Sequence, residues 1–179
     1  MRLEVLGSGG GVTTPRPSCI CRVCVEARAK GPPYARAGPS YFLHGPNVLF
    51  DTPEESNLQL NRAGVGELAG CFYSHFHPDH TMGRRVFETR NVDWRGWPPK
   101  AKRQATTAVY LPEQQDHPIL AAEATFEETL AIVAGLDAGR TVLSHIEEMD
   151  GLSHDDLREV ARRHGDRFEF AHDGMVLDV

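Results

Sequence analysis

The chain has 179 residues, which is enough for one domain with a sizeable hydrophobic core and too short for two. Its formal net charge of −6 argues against a general binder of nucleic acid or anionic membranes. No apolar run approaches membrane-spanning length, and the apolar start at residues 1–6 is too short for a secretion signal. We therefore expect a cytoplasmic protein with a single domain over residues 1–179.

The first half of the chain is predicted to consist mainly of strands. Residues 1–6 alternate as a first strand and continue into a glycine-rich loop at residues 7–11, which lacks the spacing and the lysine of a nucleotide-binding loop. Residues 14–40 lack periodicity, so we expect an irregular excursion that a metal bound by its cysteines would hold. The next predicted elements are a hairpin of strands 40–44 and 47–51, a helix at 54–63, a strand at 68–73, a helix at 82–90 and a strand at 106–111.

Helices and strands alternate in the last third of the chain. A capping-box pattern at Thr125 begins a helix, residues 141–143 form a short strand, and Ser153 begins another helix. Residues 167–171 and 175–179 are predicted to form a terminal β-hairpin. Helices on the outside of packed sheets would account for this order of elements.

A histidine-rich segment, Ser74-His75-Phe76-His77-Pro78-Asp79-His80, follows the apolar run at residues 68–73. His75 and His77 lie at strand spacing, so their side chains leave on the same side. Pro78 stops the strand, and Asp79 and His80 are expected to fold back toward the same point. Packing three imidazoles together without a metal or a counter-charge would be costly. The pattern predicts a metal site, with His75 and His77 for one metal and Asp79 and His80 for a second; the alternative is a polar turn with incidental histidines.

His145 is the candidate distant ligand for this site. A lone histidine is more often structural, but His145 ends a predicted strand and follows Ser144, which favours ligation. His117 is a weaker candidate. The remaining histidines are expected to be surface or packing residues: His44, His154, His164 and His172.

Three of the four cysteines lie close together, at Cys19, Cys21 and Cys24. In a chain without a secretion signal this spacing suits a metal site better than a disulfide framework. A redox role for the pair Cys21 and Cys24 is the alternative. The presence of Cys19 in the same cluster favours zinc.

Taken together, these motifs resemble those of the metallo-β-lactamase superfamily. The cysteine trio and residues 171–175 resemble the branch that includes the cyclic-ribose phosphodiesterase of phosphonate breakdown. This resemblance implies an α/β fold, a shortened αββα four-layer sandwich, with a metal-dependent hydrolase site at the rim of the sheets. The segments that carry it are His75-Phe76-His77-Pro78-Asp79-His80, the glycine-rich turn after the first strand, Leu49-Phe50-Asp51-Thr52 and Leu143-Ser144-His145-Ile146.

The resemblance also implies roles for individual residues. Asp79 would hold a metal-bound hydroxide for attack in addition to binding metal, and Asp51 would support the ligand loops. The cysteine trio would hold a separate structural zinc, with Glu148 as its fourth ligand, or else water or His172. Zinc is the expected catalytic metal, with manganese as the open alternative. The implied ligands of the catalytic site are His75, His77, Asp79, His80 and His145.

One departure from the family pattern concerns residues 81–144. The family has a third histidine and a metal-bridging aspartate in this part of the chain, and few residues here fit those roles; Asp116 and His117 could substitute in part. The leading hypothesis is a metal-dependent hydrolase of a small phosphodiester, and the alternative is a non-catalytic relative that binds a metal or a ligand. The expected partner is a small-molecule substrate, with no extended nucleic acid and no membrane; a homodimer is left open.

Overall fold

The computed structural model describes residues 1–93, 100–101, 108–110, 126–136, 138–147 and 151–179. The strands are β1 (Arg2–Gly7), β2 (Ser40–His44), β3 (Val48–Phe50), β4 (Gly70–Phe72), β5 (Val92–Asp93), β6 (Lys100–Ala101), β7 (Ala108–Tyr110), β8 (Thr141–Leu143), β9 (Phe168–Phe170) and β10 (Val176–Asp178). The α-helices are α1 (Arg22–Lys30), α2 (Ser56–Arg62), α3 (Pro78–Thr81), α4 (Val86–Asn91), α5 (Phe126–Ala134) and α6 (His154–His164), and a 3₁₀ turn covers Met82–Arg85.

The largest sheet has the strand order β10-β1-β2-β3-β4-β7. β1 pairs antiparallel with β10 and with β2, and the predicted hairpin of β2 and β3 is confirmed, with Phe42 opposite Leu49. β4 and β7 continue the sheet in parallel. A second, parallel pair joins β8 to β9, and β5 pairs antiparallel with β6.

One face of the large sheet packs against helices. Its buried side chains include Leu6, Phe42 and Leu49, which join Leu60 of α2 and Val86 beside them in one apolar cluster. Removing several such side chains from water at once is the main source of stability for a layer of this kind. The cluster therefore fixes α2 and α4 on this face.

The opposite face of the large sheet packs against the second sheet. Val5 and Leu177 are buried there together with Met175, and Val142 of β8 packs against the same cluster. α6 contacts β9, and the ring of Phe126 at the start of α5 stacks on Phe170 of β9. The order is thus helix, sheet, sheet, helix, and the predicted αββα arrangement is confirmed.

Most predicted helices are present near their expected bounds. α2 lies within residues 54–63, and the 3₁₀ turn with α4 covers residues 82–91. α6 begins after Ser153, whose side chain forms a reciprocal capping box with Asp156. α5 begins at Phe126, so the predicted cap at Thr125 lies outside the described residues. No helix in the described ranges is long and apolar enough to cross a membrane.

Two predictions about the chain's path are wrong. Residues 167–179 do not form a hairpin, because β9 pairs with β8 while β10 pairs with β1 in the other sheet. The turn between them is held instead by Asp173, which is buried against Ser8. The excursion at residues 14–40 is not wholly irregular, since it contains α1, whose first turn is capped by the Cys21 side chain.

Candidate metal centre

The histidine-rich segment leaves the sheet at the end of β4 and turns into a short helix. β4 ends at Phe72, and α3 begins at Pro78, which suits a first helical position because no N–H is needed there. His80 lies in α3 and is buried, and its carbonyl accepts a hydrogen bond from the Thr52 N–H at 2.7 Å. This bond ties the helix to the chain just after β3, where Asp51 lies.

Three potential ligand atoms converge at this point, contributed by Asp79, His80 and His145. Oδ2 of Asp79 lies 3.1 Å from Nε2 of His80 and 3.4 Å from Nε2 of His145, and the two nitrogens are 3.3 Å apart. Ligands placed tetrahedrally at the usual zinc distances of about 2.0–2.1 Å lie roughly 3.3–3.4 Å from one another. The triangle therefore has the dimensions of a three-ligand zinc site.

The carboxylate of Asp79 tests whether this triangle suits a metal. Oδ2 is buried and makes no hydrogen bond within the described part of the chain, although two imidazole nitrogens face it. An unsatisfied buried carboxylate oxygen is costly, and a cation between the three atoms removes that cost. The residues present thus fit a divalent metal ion.

Asp51 and Ser74 orient His80 from behind. Oδ2 of Asp51 accepts a hydrogen bond from Nδ1 of His80 at 2.9 Å, so Nε2 of the neutral ring presents its lone pair to the triangle. Ser74 donates to Asp51 through its N–H at 2.7 Å and its hydroxyl at 2.8 Å. Asp51 was predicted to support the ligand loops, and it contacts His80 and Ser74 here. The contact of Ser74 with Asp51 was not predicted. The only signal in the sequence was that Ser74 directly precedes His75.

His75 and His77 lie beside the triangle. Their ring centroids are 4.5 Å apart, and the ring of His75 is 4.0 Å from that of His80. Nδ1 of His75 lies 3.0 Å from the Ser74 hydroxyl. Burial lowers the pKa of His75, and so do the neighbouring His80 and His77, which favours the neutral ring that binds metals. Among the described residues, neither ring belongs to the group of ligand atoms that converges at Asp79, His80 and His145, so a part for His75 and His77 in a second metal site stays a prediction.

His145 reaches the centre because the chain after β8 is held on both sides. Its φ is 63°, a value that non-glycine residues adopt rarely and chiefly where surrounding contacts impose it. The next residue, Ile146, donates from its N–H to the Ser8 carbonyl at 3.0 Å, and the preceding Ser144 accepts a hydrogen bond from the Tyr41 hydroxyl at 2.6 Å. These bonds fix the imidazole over Asp79.

The glycine-rich loop closes over the centre at van der Waals distance. A Cβ on Gly10 would lie 2.7 Å from Nδ1 of His145 and 2.8 Å from Cγ of Glu147. A Cβ on Gly11 would lie 3.7 Å from Oδ2 of Asp79. Glycine at position 10 thus allows the loop to approach His145 closely. Glu147, which the sequence did not single out, accepts a hydrogen bond from the Val12 N–H at 3.3 Å.

Asp173 anchors the start of the same loop from beneath. Its Oδ1 accepts hydrogen bonds from the Ser8 N–H and hydroxyl, both at 2.9 Å, and its Oδ2 accepts one from the Ala37 N–H at 3.0 Å. Arg62 lies 3.5 Å from Oδ2. Burial raises the pKa of Asp173, and the hydrogen bonds oppose that shift. Since the Ser8 carbonyl binds Ile146, this buried carboxylate acts indirectly on the position of His145.

The three cysteines form a separate cluster at the start of α1. The sulfur atoms of Cys19, Cys21 and Cys24 all lie within 4.8 Å of one another. Backbone N–H groups of Arg16 and Cys24 point to sulfur at 3.4 Å, and the Arg16 guanidinium contacts Cys19 at the same distance. Hydrogen bonds from Cys21 lower the pKa of Cys19 to about 7. These contacts favour thiolates, the form that binds zinc.

No protein-family model matches the chain, and no curated protein sequence does. Solved structures do match. A diphosphatase from the PhnP family superposes with a TM-score of 0.74 at 20% identity, covering 99% of this chain and 97% of that one. Zinc-bound PqqB from Methylobacterium extorquens gives 0.68 at 15% identity over the full length of both chains. The metallo-β-lactamase fold protein YhfI from Bacillus subtilis gives 0.61 at 16%, covering 99% of each.

The chain has the metallo-β-lactamase fold. The expectation from the sequence motifs is therefore confirmed at the level of the fold. Within it, the triangle of Asp79, His80 and His145 lies where the loops after β3, β4 and β8 meet, at the rim of the two sheets. The ligand roles of these residues, and those of His75 and His77, stay predictions.

The remaining candidate ligands either lie outside the described residues or lie apart from the two ligand clusters. Glu148, Asp116 and His117 all lie outside the described residues. His172 is described, and its ring packs edge-on against His154 at 5.7 Å; among the described residues it is not part of the compact cysteine cluster. The other histidines make packing contacts as expected: His44 with Phe42 and Glu4, His154 with Tyr34, and His164 with Phe126 and Phe168.

Proposed function

We propose that the chain is a metal-dependent hydrolase whose substrate is a small phosphodiester. The observation that supports this most is the triangle of Asp79 Oδ2, His80 Nε2 and His145 Nε2, with sides of 3.1–3.4 Å. Its buried carboxylate oxygen has no hydrogen-bond partner among the residues that the structure describes. Catalytic zinc sites combine three protein ligands with one open position. Among the described residues, three ligand atoms converge at this centre, which is the number that a catalytic zinc site takes from the protein.

Asp79, His80 and His145 would hold one metal ion, and His75 and His77 would contribute to a second. A bound divalent ion, zinc or manganese, would activate water and neutralise charge on a phosphoryl oxygen. Asp51 keeps His80 in the tautomer that presents Nε2. The imidazole and carboxylate donors suit zinc well, so zinc is the proposed native metal.

Asp79 has a further proposed role as the catalytic residue. Its Oδ2 is buried and has no hydrogen-bond partner in the described part of the chain, so the carboxylate would be available to hold the attacking water in addition to binding metal. The separate cysteine cluster is proposed to hold a structural zinc. It lies at the base of α1 and would stabilise the excursion that leads back to β2.

The substrate is proposed to be small. The net charge of −6 opposes binding of an extended nucleic acid or an anionic membrane, and a diphosphatase is among the structures of the same fold. Phosphorus esters suit a centre that can neutralise developing negative charge. We also propose that the protein is located in the cytoplasm.

The test is hydrolysis of bis(4-nitrophenyl) phosphate by protein loaded with zinc or with manganese. We expect turnover that depends on metal, and we expect Asp79→Ala to abolish it while the midpoint of thermal unfolding stays close to that of the wild type. Asp166→Ala, at an exposed aspartate outside the centre, is the matched control and should retain full activity. Unchanged turnover in Asp79→Ala would refute the assigned role. Metal binding without any turnover would favour the alternative, a non-catalytic relative.

A further inference from the structure

Glu147 brings a second carboxylate to the metal centre, and the proposed function gives it no role. It follows His145 by two residues and is half-buried. The Cβ position of Gly11 lies 3.6 Å from Oε1 of Glu147 and 3.7 Å from Oδ2 of Asp79. The two carboxylates therefore approach the same point of the glycine-rich loop.

Glu147 is fixed beside the ligands without being one of them. Its Oε1 accepts a hydrogen bond from the Val12 N–H at 3.3 Å. The Cβ position of Gly10 lies 2.9 Å from the same oxygen and 2.7 Å from Nδ1 of His145. Among the described residues, Glu147 does not belong to the compact group of ligand atoms at the centre. It therefore adds a fixed charge next to that group.

The charge of Glu147 is not compensated within the described part of the chain. The hydrogen bond that it accepts there comes from a backbone amide, and no basic side chain in that part pairs with it. Asp173, which bonds to the start of the same loop, differs because it lies 3.5 Å from Arg62. Charges separated by less than about 8 Å interact with little screening at physiological ionic strength. A negatively charged ligand at the centre is therefore exposed to the field of this carboxylate.

Hydrolysis of a phosphodiester changes the charge on the phosphoryl group. The diester carries one negative charge. Water adds its hydroxyl group to phosphorus, the P–O bond to one ester group breaks, and that oxygen leaves with the second proton of the water as an alcohol. The monoester that remains releases a proton to solvent at about pH 6 and carries about two negative charges at neutral pH. A fixed negative charge beside the centre therefore opposes the product more than the substrate.

We propose that Glu147 is a specificity-determining residue that weakens the binding of the doubly charged monoester product relative to that of the singly charged diester. The inference rests on the proposed function and adds product release to it. The side chain would act through its charge and would not take part in the chemical step. Glu147→Gln isolates this effect, because the amide oxygen can still accept the bond from the Val12 N–H.

The test uses two inhibitors of nearly the same shape: phenyl phosphate, which carries two negative charges at neutral pH, and phenyl methylphosphonate, which carries one. In hydrolysis of bis(4-nitrophenyl) phosphate, we expect Glu147→Gln to lower the inhibition constant of phenyl phosphate about fivefold and that of phenyl methylphosphonate only about twofold. Glu159→Gln is the matched control, because it removes the same charge from the outer surface of α6, where Glu159 pairs with Arg163. It should leave both constants unchanged. Equal factors for the two inhibitors in Glu147→Gln, or no change in either, would overturn the proposal.

A binding measurement separates this proposal from failure of the hydrolase proposal. Calorimetric titration of the protein with the two inhibitors at saturating zinc requires no turnover. Tighter binding of phenyl phosphate by Glu147→Gln, with a smaller gain for phenyl methylphosphonate, supports the role of Glu147 even if no ester is hydrolysed. Turnover with unchanged inhibition by phenyl phosphate leaves the hydrolase proposal intact and refutes the role of Glu147. Binding of neither inhibitor by either protein contradicts that role as well.

Discussion

Oδ2 of Asp51 accepts a hydrogen bond from Nδ1 of His80 at 2.9 Å, and both side chains are almost completely buried. Asp51 itself adopts a φ of 59°, which is uncommon for an aspartate and which places its carboxylate beneath the imidazole. The pair fixes the tautomer and the orientation of His80 before any metal arrives. The uncommon backbone conformation of Asp51 thus helps to orient His80 as a metal ligand.

Replacing Asp51 by Asn should therefore weaken metal binding more than it weakens the fold. The amide can keep the size of the side chain, but it removes the negative charge and one of the two oxygens that accept bonds from Ser74 and His80. We predict a zinc affinity about 10–100 times lower, measured by competition with a chromogenic chelator.

Glu4→Gln is the matched control for this exchange. Glu4 also accepts a hydrogen bond from a histidine, since its Oε2 lies 2.8 Å from Nε2 of His44, but that pair lies at the opposite end of β1 from the glycine-rich loop. Its zinc affinity should equal that of the wild type. Equal affinities of the Asp51→Asn variant and the control would show that Asp51 does not support the centre.

Gly10→Ala should displace His145. The added methyl group would lie 2.7 Å from the imidazole and 2.8 Å from Glu147, and although Glu147 can turn away, the ring must shift. We predict weaker zinc binding with little loss of helix content by circular dichroism. Gly139→Ala is the control, because a Cβ at that position would have no heavy atom of the described residues within 4 Å. If Gly10→Ala binds zinc with the affinity of the wild type, the glycine-rich loop does not constrain the position of His145.

Thiol titration separates a zinc site from a redox pair at the cysteine cluster. In zinc-loaded protein we predict that the three clustered cysteines react with a thiol reagent only after a chelator is added. Cys71 serves as an internal control: burial raises its pKa to about 12, so it should react only on unfolding. Rapid reaction before chelation, or a reversible disulfide between Cys21 and Cys24, would favour the redox role.

The contact between the excursion and α6 should depend on pH through Asp156. The Arg22 guanidinium, 2.6 Å away, and the Ser153 N–H together lower the pKa of Asp156 from its usual 3.8 to about 2. A carboxylate with a depressed pKa stabilises the folded state above the unfolded value of 3.8, and this stabilisation is lost as the pH falls toward 2.

An NMR titration of the Asp156 carboxyl measures this directly. The midpoint should lie near 2 in the wild type and move toward 3.8 in Arg22→Gln, because the largest cause of the shift is then absent. Arg140→Gln should leave the Asp156 midpoint unchanged, since Arg140 pairs with Glu169 instead. An unchanged midpoint in Arg22→Gln would show that the ion pair does not persist in solution.

The sequence revealed the central motif because its ligands lie close together along the chain. His75 and His77 follow β4, Asp79 and His80 lie in the short helix α3, and Pro78 indicates where the strand pattern ends. His145 could be predicted from its position after a short strand. The hairpin of β2 and β3 and the helix after Ser153 followed from local turn and capping signals, which depend on neighbouring residues alone.

Contacts between distant segments could not be predicted in this way. β9 and β10 resembled a hairpin because a glycine separates two apolar runs, but they pair in different sheets. The turn between them is bonded through Asp173 to Ser8 and Ala37, which lie far away in the sequence. The packing of Gly10 against His145 likewise depends on segments more than 130 residues apart. α1 was missed because its start depends on a cysteine cap, which ordinary capping rules do not include.

The most direct test of the proposed centre is the zinc content of fully loaded protein, determined by elemental analysis for the wild type and for His145→Ala. From the two clusters of potential ligands we predict at least two zinc ions per chain in the wild type. His145→Ala should lose zinc from the histidine site and keep its clustered thiols protected. Fewer than one zinc at the histidine site of the loaded wild type, or an unchanged zinc content in His145→Ala, would contradict the centre of Asp79, His80 and His145.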